Sequence, residues 1–372
     1  MDILLYLFIV ATAIQLFYWV VVFAPFAFTR KKNSSTVTAQ QQPVSIIICA
    51  KNESINLKKY LPFIFSQKYT VFEIIVVDDN SEDNTAQIIK DFQEENINLK
   101  YVYLSAEEKK LKGKRSALLK GVEAASYEWI VVTDADCRPQ SNGWLRYITK
   151  PLYEGKELSI GLSPYKYEFG FLNALIRYET FYTALQYFSF ASIGMPYMAV
   201  GRNMAYTKAF FRKSKMFYAE NNTLSGDDDL LVNELATKNN FGLVWNFNGQ
   251  VISEPKKTYS EWFQQKIRHY SAGKQYQKKH QLILGTLHST SLISSLSGLV
   301  LIVLKNEKEW FLIILFAKLF LLFIIANKAL STLKQSGLLL WVLVLDFFFP
   351  MILFTLATAS VFFNDNIAWK KK

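Results

Sequence analysis

Apolar positions in this chain fall into two kinds of run. Residues 3–28 carry no charge, and long apolar runs return at 282–304, 310–326 and 337–363. A helix of roughly 20 apolar residues crosses a bilayer core. The first run reads as a retained anchor, because no basic segment precedes it and no small-x-small cleavage site follows. Arg30, Lys31 and Lys32 come directly after it. Basic residues collect on the cytoplasmic side, so the following segment belongs there and the N-terminus outside. A basic stretch at 256–279 ahead of the second run agrees. Three C-terminal crossings would leave Lys370, Lys371 and Lys372 outside, against the same rule, so either the last segment is re-entrant or the tail is an exception. Lys318 and Asp346 lie inside these runs and are expected to form a structural pair.

Between the ends the apolar runs are short. Residues 45–49, 73–77, 99–104 and 129–133 are rich in β-branched or aromatic residues, which marks strands, the first two of them buried on both faces. Helical patterns separate them at 55–65, from a cap at Asn80 or Ser81 to about 95, and at 114–125. This alternation predicts an α/β domain with a mostly parallel sheet and helices on both faces. The layout is then an anchor at 1–29, a polar linker at 30–43, a cytoplasmic catalytic domain at 44–281, about three transmembrane helices at 282–363 and a basic tail at 364–372. Residues 169–198 are crowded with Phe, Tyr, Leu and Ala. They read as an interfacial helix at the membrane that shapes a lipid-facing cleft, in preference to a core helix packed on the sheet.

Composition narrows the chemistry. The 372 residues hold 42 Lys+Arg against 31 Asp+Glu, a net charge of +11, and 51% are hydrophobic. That content excludes a disordered chain. Two Cys and three His leave little room for a disulfide framework or a zinc site. The basic excess suits an anionic leaflet. No nucleic-acid recognition motif accompanies it, so nucleic acid is not expected as a partner.

Ligands on parallel sheets bind at the carboxyl ends of the strands. There the chain places Ala50-Lys51-Asn52-Glu53, Asp78-Asp79-Asn80-Ser81 and Asp134-Ala135-Asp136. Crowded carboxylates repel one another, and a divalent cation relieves that repulsion. Hard oxygen donors favour Mg²⁺ or Mn²⁺. Glycine-rich dinucleotide and Walker A loops are absent after the first strand. Lys112-Gly113-Lys114 stands at a helix start, where lysine and backbone N–H groups can meet phosphate. Cys49 and Cys137 are expected to be free thiols.

In this order and spacing, Ala-Lys-Asn-Glu, Val-Val-Asp-Asp-Asn-Ser, Gly-Lys-x-x-Ala-Leu and Asp-Ala-Asp resemble a family 2 glycosyltransferase with the GT-A fold. Gly201-Arg202-Asn203-Met204-Ala205-Tyr206 resembles the acceptor-side segment, and Gly226-Asp227-Asp228-Asp229-Leu230 the acidic segment carrying the base. Gln265-Lys266-Ile267-Arg268-His269 resembles the Gln-x-x-Arg-Trp segment of the membrane-bound branch, which includes cellulose and hyaluronan synthases and ceramide glucosyltransferases. The resemblance implies that Asp78 and Asp79 meet the nucleobase and ribose of a nucleotide-sugar, flanked by Ala50 and Glu53. It implies Lys114 at the diphosphate or ribose, Asp134 at the donor and Asp136 on the metal. Gln265 and Arg268 would clamp the diphosphate, and Asn203 would orient the acceptor. Asp228 would be the general base of an inverting displacement, with Asp227 and Asp229 as other candidates. His269 stands where the branch has Trp, so the acceptor site differs.

The expectation is therefore a membrane enzyme moving a sugar, by resemblance from a UDP-sugar, to a lipid or envelope glycan acceptor at the cytoplasmic face. A processive polysaccharide synthase is the first alternative, and a catalytically inactive GT-A scaffold the alternative of another class.

Overall fold

The computed structural model describes residues 2–29, 41–111, 113–215, 226–304, 308–335 and 337–362. Its strands are β1 (Val44–Ala50), β2 (Phe72–Asp78), β3 (Leu99–Tyr103), β4 (Trp129–Asp134), β5 (Cys137–Pro139), β6 (Leu158–Gly161), β7 (Met204–Thr207), β8 (Phe241–Val244) and β9 (Val251–Ser253). The helices are α1 (Asp2–Phe17), α2 (Ala24–Ala27), α3 (Ser54–Phe65), α4 (Thr85–Glu95), α5 (Arg115–Ala124), α6 (Trp144–Tyr153), α7 (Phe171–Ser192), α8 (Lys208–Arg212), α9 (Asp229–Leu235), α10 (Tyr259–Ala272), α11 (Lys278–Leu304), α12 (Lys308–Leu333) and α13 (Leu339–Phe362). The chain divides into a helical unit, comprising Met1–Arg30, Tyr167–Ile193 and Lys256–Asn364, and a sheet unit that includes Lys31–Lys166 and Gly194–Pro255. Much of the linker at 30–43, Lys112 and the basic tail lie outside the described residues, and with the tail goes its conflict with the charge rule.

In the sheet unit seven strands run in the order β3-β2-β1-β4-β7-β6-β8. The four strands read from the sequence are mutually parallel: β1 pairs with β2 and β4, and β2 with β3. β7 enters antiparallel to both β4 and β6. Every residue of β1 is buried. Its β-branched side chains pack on both faces, at roughly 1.5–3 kcal/mol for each large apolar residue removed from water. This layer of strands brings the carboxyl ends of β2, β1 and β4 side by side. A second, two-stranded sheet pairs β5 with β9.

One helix start differs from expectation. α4 begins at Thr85, past the Asn80-Ser81 cap read from the sequence. Ser81 is used elsewhere: its hydroxyl accepts the Asn52 N–H at 2.9 Å. Asn84 is the N-cap residue, and Asp83 just ahead of it accepts the Thr85 N–H at 3.0 Å.

In the helical unit, four helical segments among the described residues are long and apolar enough to cross a membrane: Ile3–Ala27, Lys278–Leu304, Trp310–Leu333 and Leu339–Phe362. α1 and α11 are joined by polar contacts: Thr12 Oγ1 and Ser294 Oγ lie 2.9 Å apart, and the Gln15 amide donates to the Leu287 carbonyl at 2.7 Å. Such interhelical bonds satisfy side chains that lipid could not. Lys318 is buried and donates to Ser294 Oγ at 3.2 Å. The Lys318–Asp346 pair expected from the sequence makes no direct ion-pair contact among the described residues, but each group feels the other's charge.

α7 also departs from expectation. An interfacial helix keeps one face in water. In α7 nearly every side is buried, including Asn173, Arg177, Glu179 and Gln186. Phe188 stacks on Phe26 with ring centroids 5.4 Å apart, and Tyr178 meets Phe349 edge-on at 5.1 Å. α7 is thus a core helix of the helical unit. With α10 it belongs among the apolar spans, although the sequence reading put both in the catalytic domain.

Candidate active site

The carboxyl end of β2 delivers two fully buried carboxylates, Asp78 and Asp79, each 1% exposed. Asp78 Oδ1 accepts the Ser81 N–H at 3.0 Å and Oδ2 accepts the Tyr101 hydroxyl at 3.1 Å. Lys109 pairs with Asp79 at 2.5 Å. The turn is tight: Asn80 and Asn52 both adopt left-handed backbone, with φ of 51° and 53°. Asn tolerates that region through its short polar side chain. Asn52 also accepts the Glu82 N–H at 2.8 Å, and the Glu53 N–H reaches Thr85 Oγ1 at 2.8 Å. The loops after β1 and β2 are therefore tied together, and Ala50 and Glu53 are held beside the two aspartates.

One strand over, β4 ends at Asp134. Lys114, at the N-cap of α5, forms an ion pair with it. Burial alone would lower the Lys114 pKa, but Asp134, Cys49 and Asp227 hold it well above the usual lysine range. The lysine is thus a fixed cation between the β4 carboxylate and the acidic segment that opens α9. Two residues on, Asp136 Oδ1 accepts from the Cys137 thiol at 3.3 Å and from the Ser253 hydroxyl at 3.4 Å.

Asp228 stands at the N-cap of α9. Its Oδ1 accepts the Asp229 N–H at 2.9 Å and its Oδ2 the Gly201 N–H at 2.5 Å. Burial and then the neighbouring Asp227 charge push its pKa up to about 6, against the pull of those two N–H groups and of Lys114. A carboxylate so tuned is largely ionised at neutral pH, yet is a stronger base than an ordinary aspartate and can take up a proton. Glycine at 201 leaves space for this contact, because an added Cβ would crowd the Asp228 side chain, meeting Oδ2 at 3.0 Å.

Residues 45–212 match the family described as Glycosyl transferase family 2. The chain carries a family 2 glycosyltransferase domain. A poly-beta-1,6-N-acetyl-D-glucosamine synthase of Staphylococcus epidermidis is 36% identical over 125 residues, 32% of this chain and 29% of that protein. The Staphylococcus aureus protein of the same description is 30% identical over 125 residues, with the same shares of 32% and 29%. The chain thus spans less than a third of the length of the curated relatives it matches. Among solved structures, the mannosyltransferase PcManGT from Pyrobaculum calidifontis, in complex with GDP-Man and Mn²⁺, superposes with a TM-score of 0.62 at 16% identity, over 96% of this chain and 99% of that one. At that identity the likeness concerns the fold, and the sheet is a GT-A sheet.

In the glycosyltransferase domain, Ala50, Glu53, Asp78, Asp79, Lys114, Asp134, Asp136 and Asp228 all belong to the rim at the carboxyl ends of β1, β2 and β4 and the start of α9. Asp134, Asp136 and Cys137 offer ligand atoms within 4.8 Å of one another. Two carboxylates that close supply hard oxygen donors of the kind that suit Mg²⁺ or Mn²⁺. The thiol is a poorer candidate, because burial and then Asp136 raise the Cys137 pKa well above the usual thiol range. Burial likewise pushes Cys49 up to about 12. Both cysteines are free.

Gln265, Arg268 and His269 lie on α10, in the helical unit, spaced to share one face of that helix. His269 is exposed, while Gln265 and Arg268 are half-buried.

Asn203 requires a correction. It was assigned to the acceptor, yet it is fully buried. Its amide donates to the carbonyls of Leu162 at 2.8 Å and Gly249 at 2.9 Å, and its oxygen accepts from Trp144 Nε1 at 2.9 Å. A side chain whose polar atoms are engaged inside the fold cannot also orient an acceptor. Asn203 holds the entry to β7 in place.

Its neighbour Arg202 was missed. The guanidinium lies over the Tyr165 ring at 4.4 Å and donates to the Ser163 carbonyl at 3.1 Å. Burial opposes its charge, but Tyr165, Cys137, Asp134 and Asp136 together raise its pKa above the usual arginine value. A single cation in the otherwise uncharged segment 201–206 was the available signal. Residue type alone could not say which of two consecutive polar residues was locked inside the fold.

Proposed function

We propose that this chain transfers a sugar, with inversion, from a nucleoside diphosphate sugar to a glycan or lipid acceptor at a membrane face. The observation that carries this reading is the convergence of Asp78, Asp79, Asp134, Asp136 and Asp228 with Lys114 on one rim of the glycosyltransferase domain. Asp78 and Asp79 take the nucleoside, their carboxylates facing ring N–H groups and ribose hydroxyls. Asp134 and Asp136 hold a divalent cation, which supplies charge neutralisation to the departing diphosphate. Lys114 adds a fixed positive charge beside Asp134. Asp228 accepts the proton of the acceptor hydroxyl as its oxygen attacks the anomeric carbon, and the bond from that carbon to the diphosphate oxygen breaks. Attack opposite the leaving group inverts the centre. Four helices long and apolar enough to cross a membrane support a reaction at a membrane, and the basic residues flanking them favour a cytoplasmic catalytic domain.

The staphylococcal relatives favour one more specific reading: elongation of a polysaccharide from UDP-N-acetylglucosamine, against single transfer to a lipid. The test is incubation of the full chain in membranes with labelled nucleotide-sugars and Mn²⁺ or Mg²⁺, followed by sizing of the product. Long polymer supports elongation, and a single glycolipid supports single transfer. No nucleoside diphosphate release with any donor or either ion contradicts the enzymatic reading.

A further inference from the structure

Arg202 has no part in the reading above, yet its placement is over-determined. The residue before it is held by Asp228, through the Gly201 N–H at 2.5 Å. The residue after it, Asn203, is locked in the interior by the bonds to Leu162, Gly249 and Trp144. Between these two pins the Arg202 side chain has little freedom. Tyr165 covers its guanidinium face at 4.4 Å and the Ser163 carbonyl takes one N–H. The Ser163 hydroxyl is itself bound to the Val251 carbonyl at 2.8 Å.

The scaffold that fixes this cation also fixes the metal candidates. Tyr165 forms a parallel bridge with Ser253. Ser253 pairs with Cys137 across β5 and β9, and its hydroxyl reaches Asp136 Oδ1 at 3.4 Å. Arg202 Nε is buried without a hydrogen-bond partner. Leaving a charged N–H unsatisfied is costly. A purely structural arginine would be expected to use its fork fully, as planar bidentate recognition allows. What this position retains is the charge, carried on the Tyr165–Ser253 scaffold that also reaches Asp136.

We propose that Arg202 is a second built-in counter-cation of the Asp134–Asp136 wall, besides Lys114, weakening its hold on a bare divalent cation and strengthening its hold on an anionic diphosphate. This rests on the donor-site reading above and deepens it. A wall of carboxylates alone would bind Mn²⁺ whether or not the donor were present. A fixed positive charge beside it repels the lone ion, and the same charge attracts the diphosphate that brings the ion with it. Metal and donor then enter together, and metal and product diphosphate leave together, so the ion is not left trapped between turnovers. Arg202 is in this sense a positioning residue for charge, acting on the site through Coulomb interaction.

The test uses the full chain in detergent or nanodiscs and two titrations. The first measures Mn²⁺ binding without nucleotide. The second measures UDP, and separately GDP, at saturating Mn²⁺. Arg202→Gln is expected to tighten bare Mn²⁺ about tenfold and to weaken the nucleoside diphosphate about tenfold. Arg202→Lys, which keeps the charge, is expected to stay near wild type in the first titration. Shifts of opposite sign cannot come from a loosened fold, which would weaken both. If Arg202→Gln does not fold, Arg202→Met keeps an apolar stem against Tyr165 without the charge and gives the same two readings. Movement of both affinities in one direction, or of fewer than both, overturns the proposal. Wild-type protein that binds neither Mn²⁺ nor either nucleotide overturns the donor-site reading as well, which separates the two failures.

Discussion

Two clusters of charge, one in each unit, are built in opposite ways. In the helical unit Glu179 and Lys266 pair one to one at 2.9 Å, with side chains 6% and 8% exposed. Trp262 Nε1 donates to the second carboxylate oxygen at 3.2 Å. In the sheet unit, among the described residues of the rim, Asp78, Asp79, Asp134, Asp136, Asp227 and Asp228 face Lys109, Lys114 and Arg202. Carboxylates exceed cations there, and one of them, Asp228, is held with a raised pKa. A buried pair that closes on itself serves the fold. A crowded excess of one sign is a poor structural device, because like charges close together repel. It becomes useful when a cationic ligand completes it.

The sharpest way to break this comparison is at Asp228. Asp228→Asn keeps the shape and removes the base, so turnover should fall roughly 1,000-fold while donor affinity is retained. Nucleoside diphosphate release and a donor titration check the two halves. A variant with near wild-type turnover would return Asp228 to a helix-capping role.

The helical unit should answer differently. Glu179→Gln or Lys266→Met leaves one charge buried alone and is expected to cost about 3–5 kcal/mol. The pair Glu179→Leu with Lys266→Met should recover most of that loss. Thermal or denaturant unfolding of single and double variants measures it, and harmless single variants would contradict the paired description.

A smaller effect is expected at Gly201. Gly201→Ala pushes a methyl against the base, and turnover should drop roughly tenfold with donor affinity unchanged. The smallest concerns pH. Because Asp228 acts in its ionised form and its pKa is raised to about 6, kcat/KM should fall below an acid limb near that value. The Asp227 charge opposes ionisation of Asp228, so Asp227→Asn should move the limb to lower pH, by less than about one unit. A limb that stays in place or rises would place the titrating group elsewhere.

Much of the sheet was legible because its strands are continuous β-branched runs, which few other structures accommodate. The acidic rim was legible for the same reason, since each acidic motif follows such a run directly. Three features were not. β7 follows a helix that belongs to the other unit, so its antiparallel direction had no local signal. The α4 start was misplaced because Ser81 has the chemistry of a cap but is drawn to the Asn52 N–H across the loop. Arg202 and Asn203 exchanged roles because they are neighbours, and alternation along the chain entering β7 turned the asparagine inward.

The central claim is that the acidic rim is a site for a divalent cation and a nucleoside diphosphate together. It is tested most directly by calorimetric titration of UDP and GDP into the purified chain, with Mn²⁺ and with chelator, for wild type and Asp136→Ala. Tight binding to wild type that depends on Mn²⁺, and is lost in Asp136→Ala, is the predicted result. Binding that is indifferent both to the ion and to Asp136, or absent throughout, would contradict it.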